Sequence, residues 1–165
     1  MKLYIASDHA GFDLKAALTQ KFQNTLPNSQ PNSQSGEKIE WIDLGPASAE
    51  STDYPLYAQK LCEKVLSVFK DDERLRPCAV LVCGSGVGVS MAANRYRGIR
   101  AVLADRVDIA RLSREHNASN VLCLGSRIVS EAEAFAILTE WLKTEFAGDR
   151  HLRRVNQMDI KKGDS

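Results

Sequence analysis

Short apolar runs typical of strands alternate with longer helical patterns along nearly the whole chain, and this alternation is the feature that most limits its fold. Successive β-α-β units of this kind place their strands parallel in one sheet and their helices on both faces. Strands are predicted over 2–7, 39–44, 78–82, 100–104 and 121–124. We therefore expect a three-layer α/β/α, Rossmann-like single domain with a five-stranded parallel sheet.

Helical spacing of apolar residues fills the intervals between these strands. The predicted helices cover 12–22, 56–69, 87–95, 107–115, 131–146 and 150–160. Residues 25–37 break the pattern with two copies of Pro-Asn-Ser-Gln. Such a polar segment buries too little to offset its ordering entropy. We expect one single domain over 1–160, with a mobile inserted loop at 25–37 and a frayed tail at 161–165.

The charge balance limits what the protein can bind. Twenty-two Lys and Arg residues against twenty-one Asp and Glu residues leave a net charge of +1. No overall field exists that would hold a nucleic acid or an anionic membrane surface. The longest apolar runs are also far shorter than the ~20 residues of a membrane span. We therefore expect neither nucleic acid nor membrane as a partner, and any bound anion must be held by a local cluster.

Cysteine usage indicates the compartment. The four cysteines form no C-x-x-C pair and have no histidine at zinc-finger spacing, which argues against disulfides and structural zinc. The first residues pass quickly into charge and lack the apolar core of a secretory signal. Free thiols in a reducing cytoplasm are expected.

Polar side chains follow the first predicted strand, at the edge of a parallel sheet where ligands bind. Asp8 and His9 stand together there, immediately before a helix begins. A carboxylate and an imidazole in this position indicate a site for an anion or a polyol. The alternative is that Asp8 caps the helix and His9 is an ordinary surface residue.

The most informative stretch follows the third strand, where a thiol precedes alternating glycines and a helix: Cys83-Gly84-Ser85-Gly86-Val87-Gly88. Glycines allow backbone N–H groups to converge on an anion, and a helix N-terminus adds positive potential. That potential is expected to lower the pKa of Cys83 below the ~8.5 of a free thiol and make it a nucleophile or a base. The alternative is a buried strand cysteine before a tight turn. Cys62, Cys78 and Cys123 lie within apolar runs and are interpreted as core residues.

The same glycines permit a dinucleotide-binding interpretation. Asp105 follows the fourth strand about where a ribose-binding acid would lie. Against this, Val89 occupies the place of the third fingerprint glycine, and too little sequence follows for a second nucleotide half and a substrate domain. A nucleotide-binding oxidoreductase is the less favoured hypothesis.

Imidazole and guanidinium groups follow the later elements. His116 and Asn117 can act together only if their helix ends there, and the alternative is a helix cap with a left-handed asparagine. Arg127 follows the fifth strand. Arg150 and Arg154 are four residues apart, so on a helix both guanidinium groups lie on one face, a geometry that suits phosphate binding. A solvated basic helix end is the alternative for them.

Seven short motifs follow one another along the chain: S-D-H-A-G at 7–11, D-Y-P at 53–55, C-G-S-G-V-G at 83–88, A-A-N at 92–94, R-E-H-N at 114–117, G-S-R at 125–127 and R-H-x-R-R at 150–154. In this order and spacing they resemble the type B ribose-5-phosphate isomerase family over nearly the whole chain. The resemblance extends to galactose-6-phosphate and allose-6-phosphate isomerases, so the sugar stays open. Some members carry a glutamate base at the position of Val89 and lack the cysteine, which places this chain in the cysteine subtype.

The resemblance implies a catalytic role for three of these residues. Cys83 would be the base that moves a proton between C2 and C1 of the opened sugar. His116 would assist ring opening. Ser85 and the amides of Gly84, Gly86, Val87 and Gly88 would stabilise the enediolate, as an oxyanion hole does.

The resemblance also implies which residues bind the substrate. Sugar hydroxyls would be held by Asp8, Tyr54 and Asn117, and the phosphate by His9, Arg127, Arg150 and Arg154. Family members are dimers or tetramers, so a homodimer or homotetramer with sites at the subunit interface is expected. In such an assembly His116, Asn117 and Arg127 would come from the neighbouring subunit.

The function predicted from these observations is an aldose–ketose isomerase of pentose phosphate metabolism that interconverts ribose 5-phosphate and ribulose 5-phosphate. The proton stays within one substrate, so neither a cofactor nor a metal is expected. The alternatives are an isomerase of a six-carbon aldose phosphate, a non-catalytic phosphosugar-binding protein, and the oxidoreductase described above.

Overall fold

The five strands form one parallel sheet in a computed structural model that describes residues 1–25, 39–68 and 75–158. They are β1 (Lys2–Ser7), β2 (Glu40–Asp43), β3 (Ala79–Cys83), β4 (Ala101–Leu103) and β5 (Val121–Gly125), in the order β2-β1-β3-β5-β4. The helices are α1 (Phe12–Thr25), α2 (Tyr54–Val68), α3 (Val87–Ala93), α4 (Val107–Asn117), α5 (Glu131–Lys143) and α6 (Asp149–Val155). The predicted fold class is confirmed.

Burial separates the central strands from the edge strands. Every residue of β3 and β5 is buried, as expected for apolar runs covered by helices on both faces. The edge strands β2 and β4 are shorter and partly exposed. The hydrophobic pattern therefore distinguishes the central strands from the edge strands.

Two hydrophobic cores lie on opposite faces of the sheet. One contains Phe22 of α1, Ala110 of α4 and Trp141 of α5. The other contains Leu61 of α2 and Val89 of α3. The helices thus form the two outer layers that the sequence predicts.

The strand order creates a crevice between β1 and β3. From β1 the chain passes through α1 to β2 on one side, and from β2 it crosses through α2 to β3 on the other side. The loops after β1 and β3 therefore diverge to opposite faces of the sheet. Open parallel sheets bind ligands at such a switch point, beyond the carboxyl ends of the strands.

Three helices end two or more residues before the predicted residue, and tertiary hydrogen bonds account for the first two of these ends. Helix α3 ends at Ala93, before the predicted 95, because the Asn94 side chain pairs with the backbone of Ala101 at 2.8 and 2.9 Å. Helix α5 ends at Lys143, before the predicted 146, and the following chain turns so that Ala147 N–H donates to Glu115 O at 3.0 Å. Helix α6 ends at Val155, before the predicted 160.

The predicted loop at 25–37 begins later than expected, because α1 continues through Thr25. The rest of that segment and the predicted tail at 161–165 lie outside the described residues. All four cysteines are buried, and none of them forms a disulfide. Among the described helices, none combines the length and apolar character needed to cross a membrane.

Candidate active site

A cleft of about 310 Å³ opens at the switch point between β1 and β3. The first loop supplies Asp8 and His9 to this cleft, and the second supplies Cys83 and Ser85. The remaining lining residues are Ala10, Tyr54, Gly84, Gly88, Arg127 and Ile128. The parallel topology therefore brings together two motifs that are about 75 residues apart in the chain.

Asp8 both supports the loop and lines the cleft. Its Oδ1 accepts a hydrogen bond from Gly11 N–H at 2.9 Å, and its own N–H donates to Val82 O at 3.2 Å. These bonds hold the carboxylate at the carboxyl end of β1, where it is largely buried. The capping and the ligand-binding interpretations of Asp8 are therefore compatible.

His9 is exposed but its ring is held in place. Its Nδ1 lies 3.0 Å from Thr52 O and 3.2 Å from Thr52 N. Both contacts come from the segment that leads into α2, 43 residues away. No local pattern marked Thr52, because its contribution is made by the backbone.

The loop after β3 directs hydrogen-bond donors at its own thiol and hydroxyl. Gly86 N–H points at Cys83 Sγ at 3.1 Å, and Val87 N–H donates to Ser85 Oγ at 3.3 Å. Cys83 is only 4% exposed, and this exposure is in the cleft. The Gly86 N–H is therefore a hydrogen-bond donor already directed at the sulfur.

Two glycines of this loop lie where there is no room for a side chain. Gly86 has φ 75°, and a Cβ there would lie 2.5 Å from Leu103 Cδ1 and 2.9 Å from the carbonyl carbon of Leu124. A Cβ on Gly88 would lie 2.6 Å from Tyr54 Cζ. Gly86 therefore lets the loop turn tightly over β5, and Gly88 lets the Tyr54 ring lie against the loop.

Arg127 lies in the cleft of its own chain. Its backbone N–H donates to Gly84 O at 3.0 Å, and the backbone N–H of the preceding Ser126 donates to Cys83 O at 2.9 Å. The guanidinium carbon is 3.2 Å from where a Cβ on Gly84 would be. The expectation that Arg127 comes from a neighbouring subunit is therefore wrong, because the pairing of β5 with β3 brings it to the thiol loop directly.

The other predicted site residues lie near the opposite ends of the strands, away from the cleft. Helix α4 runs back from the carboxyl end of β4, so His116 and Asn117 in its last turn lie near the amino ends of the strands. The left-handed cap of α4 is Ala118, with φ 48°, and the helix includes Asn117. A five-residue strand spans about 15 Å, which separates these two side chains from Cys83.

Helix α6 places its arginine side chains near the same amino ends of the strands. It packs against α4, and the His151 ring stacks on the His116 ring with centroids 4.5 Å apart. Arg150 and Arg154 are both exposed on α6, as the spacing predicts. The chain therefore carries two groups of site residues: a thiol group around Cys83, and a histidine group of His116, Asn117, Arg150 and Arg154.

A larger hollow of about 510 Å³ adjoins the histidine group. It is lined by Asn117, by Met158 and by the segment from Asn94 to Val102 that connects α3 to β4. Over the described ranges, no three or more His, Cys, Asp or Glu side chains converge as metal ligands would.

The cleft combines a thiol, a carboxylate and a hydroxyl with the positive or hydrogen-bonding groups of Arg127 and His9. Such a set suits a small anion that carries several hydroxyl groups, with the anionic end held by the guanidinium. Fold and site together define a parallel α/β protein of the phosphosugar-binding class.

Comparison with known proteins identifies the family within this class. A family model described as Ribose/Galactose Isomerase matches residues 3–158. Ribose-5-phosphate isomerase B of Escherichia coli is 38% identical over 154 residues, which cover 93% of this chain and 91% of the relative. The chain belongs to the ribose/galactose isomerase family.

Solved structures agree with this assignment. A ribose 5-phosphate isomerase from Thermotoga maritima is 42% identical with a TM-score of 0.80, over 96% of this chain and 97% of the other. Ribose-5-phosphate isomerase B from Mycoplasma genitalium, solved with bound ribulose 5-phosphate, is 34% identical with a TM-score of 0.81. That match covers 99% of this chain and 97% of the other.

Proposed function

We propose that this chain interconverts ribose 5-phosphate and ribulose 5-phosphate, without a cofactor. The observation that carries the proposal is the Cys83 thiol, which lies in a cleft with Arg127 and accepts a directed N–H from Gly86. An isomerase of this kind needs a base, donors for a developing oxyanion and an anchor for the phosphate. The relative with bound ribulose 5-phosphate supports this substrate.

The reaction begins with opening of the sugar ring. The C1–O4 bond breaks, the O1 hydroxyl loses its proton as C1=O1 forms, and O4 gains a proton. His116 is the residue proposed to relay this proton between the two oxygens, as a general acid and base. Asp8, Tyr54 and Asn117 would hold the sugar hydroxyls during this step.

Isomerisation of the open chain follows at Cys83. The thiolate takes the proton from C2, which leaves an enediolate, and returns it to C1, while the O2 hydroxyl proton passes to O1. Negative charge develops on oxygen in the enediolate, next to Ser85 and the thiol loop. Donors held in place before the reaction stabilise such charge most effectively.

We propose that two copies of the chain complete each site. Within one chain the thiol group lies at the carboxyl ends of the strands and the histidine group near their amino ends. Ring opening and proton transfer must nevertheless act on one sugar. Ile128, which lines the cleft, is 59% exposed, and Met91 of α3 is 67% exposed. The hollow beside Asn117 offers a concave surface for the partner. A two-fold dimer would build two equal sites in this way.

Four buried free thiols favour a reducing compartment, so we propose a cytoplasmic enzyme. Oxidation of the Cys83 sulfur would remove the thiolate that acts as the base. Burial raises the pKa of Cys62, Cys78 and Cys123, which opposes their oxidation.

A panel of five- and six-carbon aldose phosphates, assayed for ketose formation, tests the function. Ribose 5-phosphate is expected to give the highest kcat/KM, and Cys83→Ala is expected to lower kcat by about 10²–10⁴-fold. The matched control is Cys123→Ala, which removes a buried thiol from the neighbouring strand. Full activity of Cys83→Ala, or preference for a six-carbon sugar, would overturn the corresponding part of the proposal.

A further inference from the structure

His151 forms a parallel stack with His116, across the contact between α6 and α4. The ring centroids are 4.5 Å apart and the ring planes differ by 6°. His151 is 9% exposed, whereas His116 is only partly buried. The buried ring therefore covers one face of the His116 ring and leaves the rest of it accessible.

The protonation state of His151 follows from its hydrogen bond to Arg150. Arg150 Nε lies 3.3 Å from His151 Nε2. A guanidinium can only donate, so Nε2 must present a lone pair and the single ring proton must be on Nδ1. This hydrogen bond therefore requires the neutral imidazole with its proton on Nδ1.

Burial and three nearby basic groups favour the neutral form of His151. Burial away from water is the main cause that lowers its pKa, and His116, Arg150 and Arg154 lower it further. Glu115 on α4 opposes them by favouring the protonated ring. A second proton on His151 would place a cation against Arg150 and against His116, and the neutral form avoids both contacts.

We propose that His151 is a positioning residue for His116, holding its imidazole by stacking and staying neutral so that only His116 exchanges protons during ring opening. The inference rests on the proposed function, because it assigns a role within the ring-opening step. His151 acts through His116 and is not itself placed against the substrate.

Two reactions separate ring opening from the later proton transfer. Isomerisation of ribose 5-phosphate requires the ring to open. Exchange of the C1 hydrogen of ribulose 5-phosphate with deuterium oxide requires only the base, because this ketose has no free C5 hydroxyl to close a five-membered ring. Both rates can be followed by NMR for the wild type, His151→Ala and His151→Phe. Arg153→Ala, on the same helix and outside both groups of site residues, is the matched control.

The expected result is a selective loss. His151→Ala is expected to reduce isomerisation about tenfold, less than the 10²–10⁴-fold contribution of an acid or base itself, with C1 exchange within about twofold of wild type. His151→Phe keeps a flat neutral ring and is expected to restore isomerisation to within about threefold of wild type. Arg153→Ala is expected to match the wild type in both reactions.

Other results would overturn the inference. Wild-type isomerisation by folded His151→Ala would show that the stack is unimportant. Equal losses of isomerisation and C1 exchange in both His151 variants would show general damage instead of a role in ring opening. If the wild type itself catalysed neither reaction, the proposed function would fail, and that outcome is distinct from a failure confined to the His151 variants.

Discussion

Alanine at Gly86 adds two separate destabilising effects, and the structure allows each to be estimated. The backbone at Gly86 has φ 75°, and an L-residue in this left-handed region costs about 1–2 kcal/mol. The new Cβ would also lie 2.5 Å from Leu103 Cδ1 and 2.9 Å from the Leu124 carbonyl carbon. The Leu103 side chain can shift, but the Leu124 backbone belongs to buried β5. Overpacking is therefore expected to add about 1–3 kcal/mol to the loss of stability.

The expected loss for Gly86→Ala is therefore about 2–5 kcal/mol in the free energy of unfolding. At this chain length that corresponds to a fall in Tm of about 10 °C. Urea unfolding at one fixed protein concentration measures the loss, since association with a second chain would make stability depend on concentration. Turnover is also expected to fall, because Gly86 N–H is the donor to Cys83 Sγ.

Gly98→Ala is the matched control for the backbone effect. Gly98 also has a positive φ, of 85°, but a Cβ there would meet its nearest neighbour, Leu66 Cδ2, at an ordinary 3.5 Å. Only the cost of the left-handed backbone, about 1–2 kcal/mol, is expected. Equal stability of the two variants would refute the assignment of a steric cost at Gly86.

Three further outcomes are expected. Iodoacetamide is expected to modify Cys83 first, with parallel loss of activity and protection by substrate, because burial raises the pKa of Cys62 to about 12 and also raises the pKa of Cys78 and Cys123. Earlier modification of any of these three cysteines, mapped by mass spectrometry, would contradict this. Folding lowers the pKa of His151 below its ordinary 6.5, so the unfolded chain binds more protons in that window and stability falls as the pH drops below about 6.5. His151→Phe is expected to reduce the change of Tm between about pH 7 and 5. An unchanged pH profile of Tm would contradict this contribution of His151. Trp141→Phe removes the 2.8 Å bond from Nε1 to Ser119 Oγ and is expected to cost about 1 kcal/mol by calorimetry; no loss would show that this bond contributes nothing.

The sheet and the thiol cleft were predictable because short-range pattern and topology determine them. Strands such as β3 are buried on both faces and are therefore continuous apolar runs. Once the strands are parallel, the residues after β1 and β3 must meet at one edge, which brings Asp8 to Cys83. These inferences need only the direction of each strand.

Contacts between distant side chains were not predictable in this way. Thr52 holds His9 through its backbone, and no residue type signals such a bond. The stack of His151 on His116 depends on how α6 packs against α4, which the R-H-x-R-R motif does not encode. The same limit explains the origin of Arg127, because only the pairing of β5 with β3 shows that it reaches the thiol loop of its own chain.

The central claim is that one chain supplies Cys83 and a second supplies His116 to the same site, and mixing two inactive variants tests it most directly. Cys83→Ala and His116→Ala are purified separately, combined under conditions of chain exchange, and assayed with ribose 5-phosphate. Each mixed dimer would contain one intact site, so activity is expected to recover to about a quarter of wild type. Activity that stays at the level of the separate variants, although mass spectrometry shows mixed dimers, would contradict the claim.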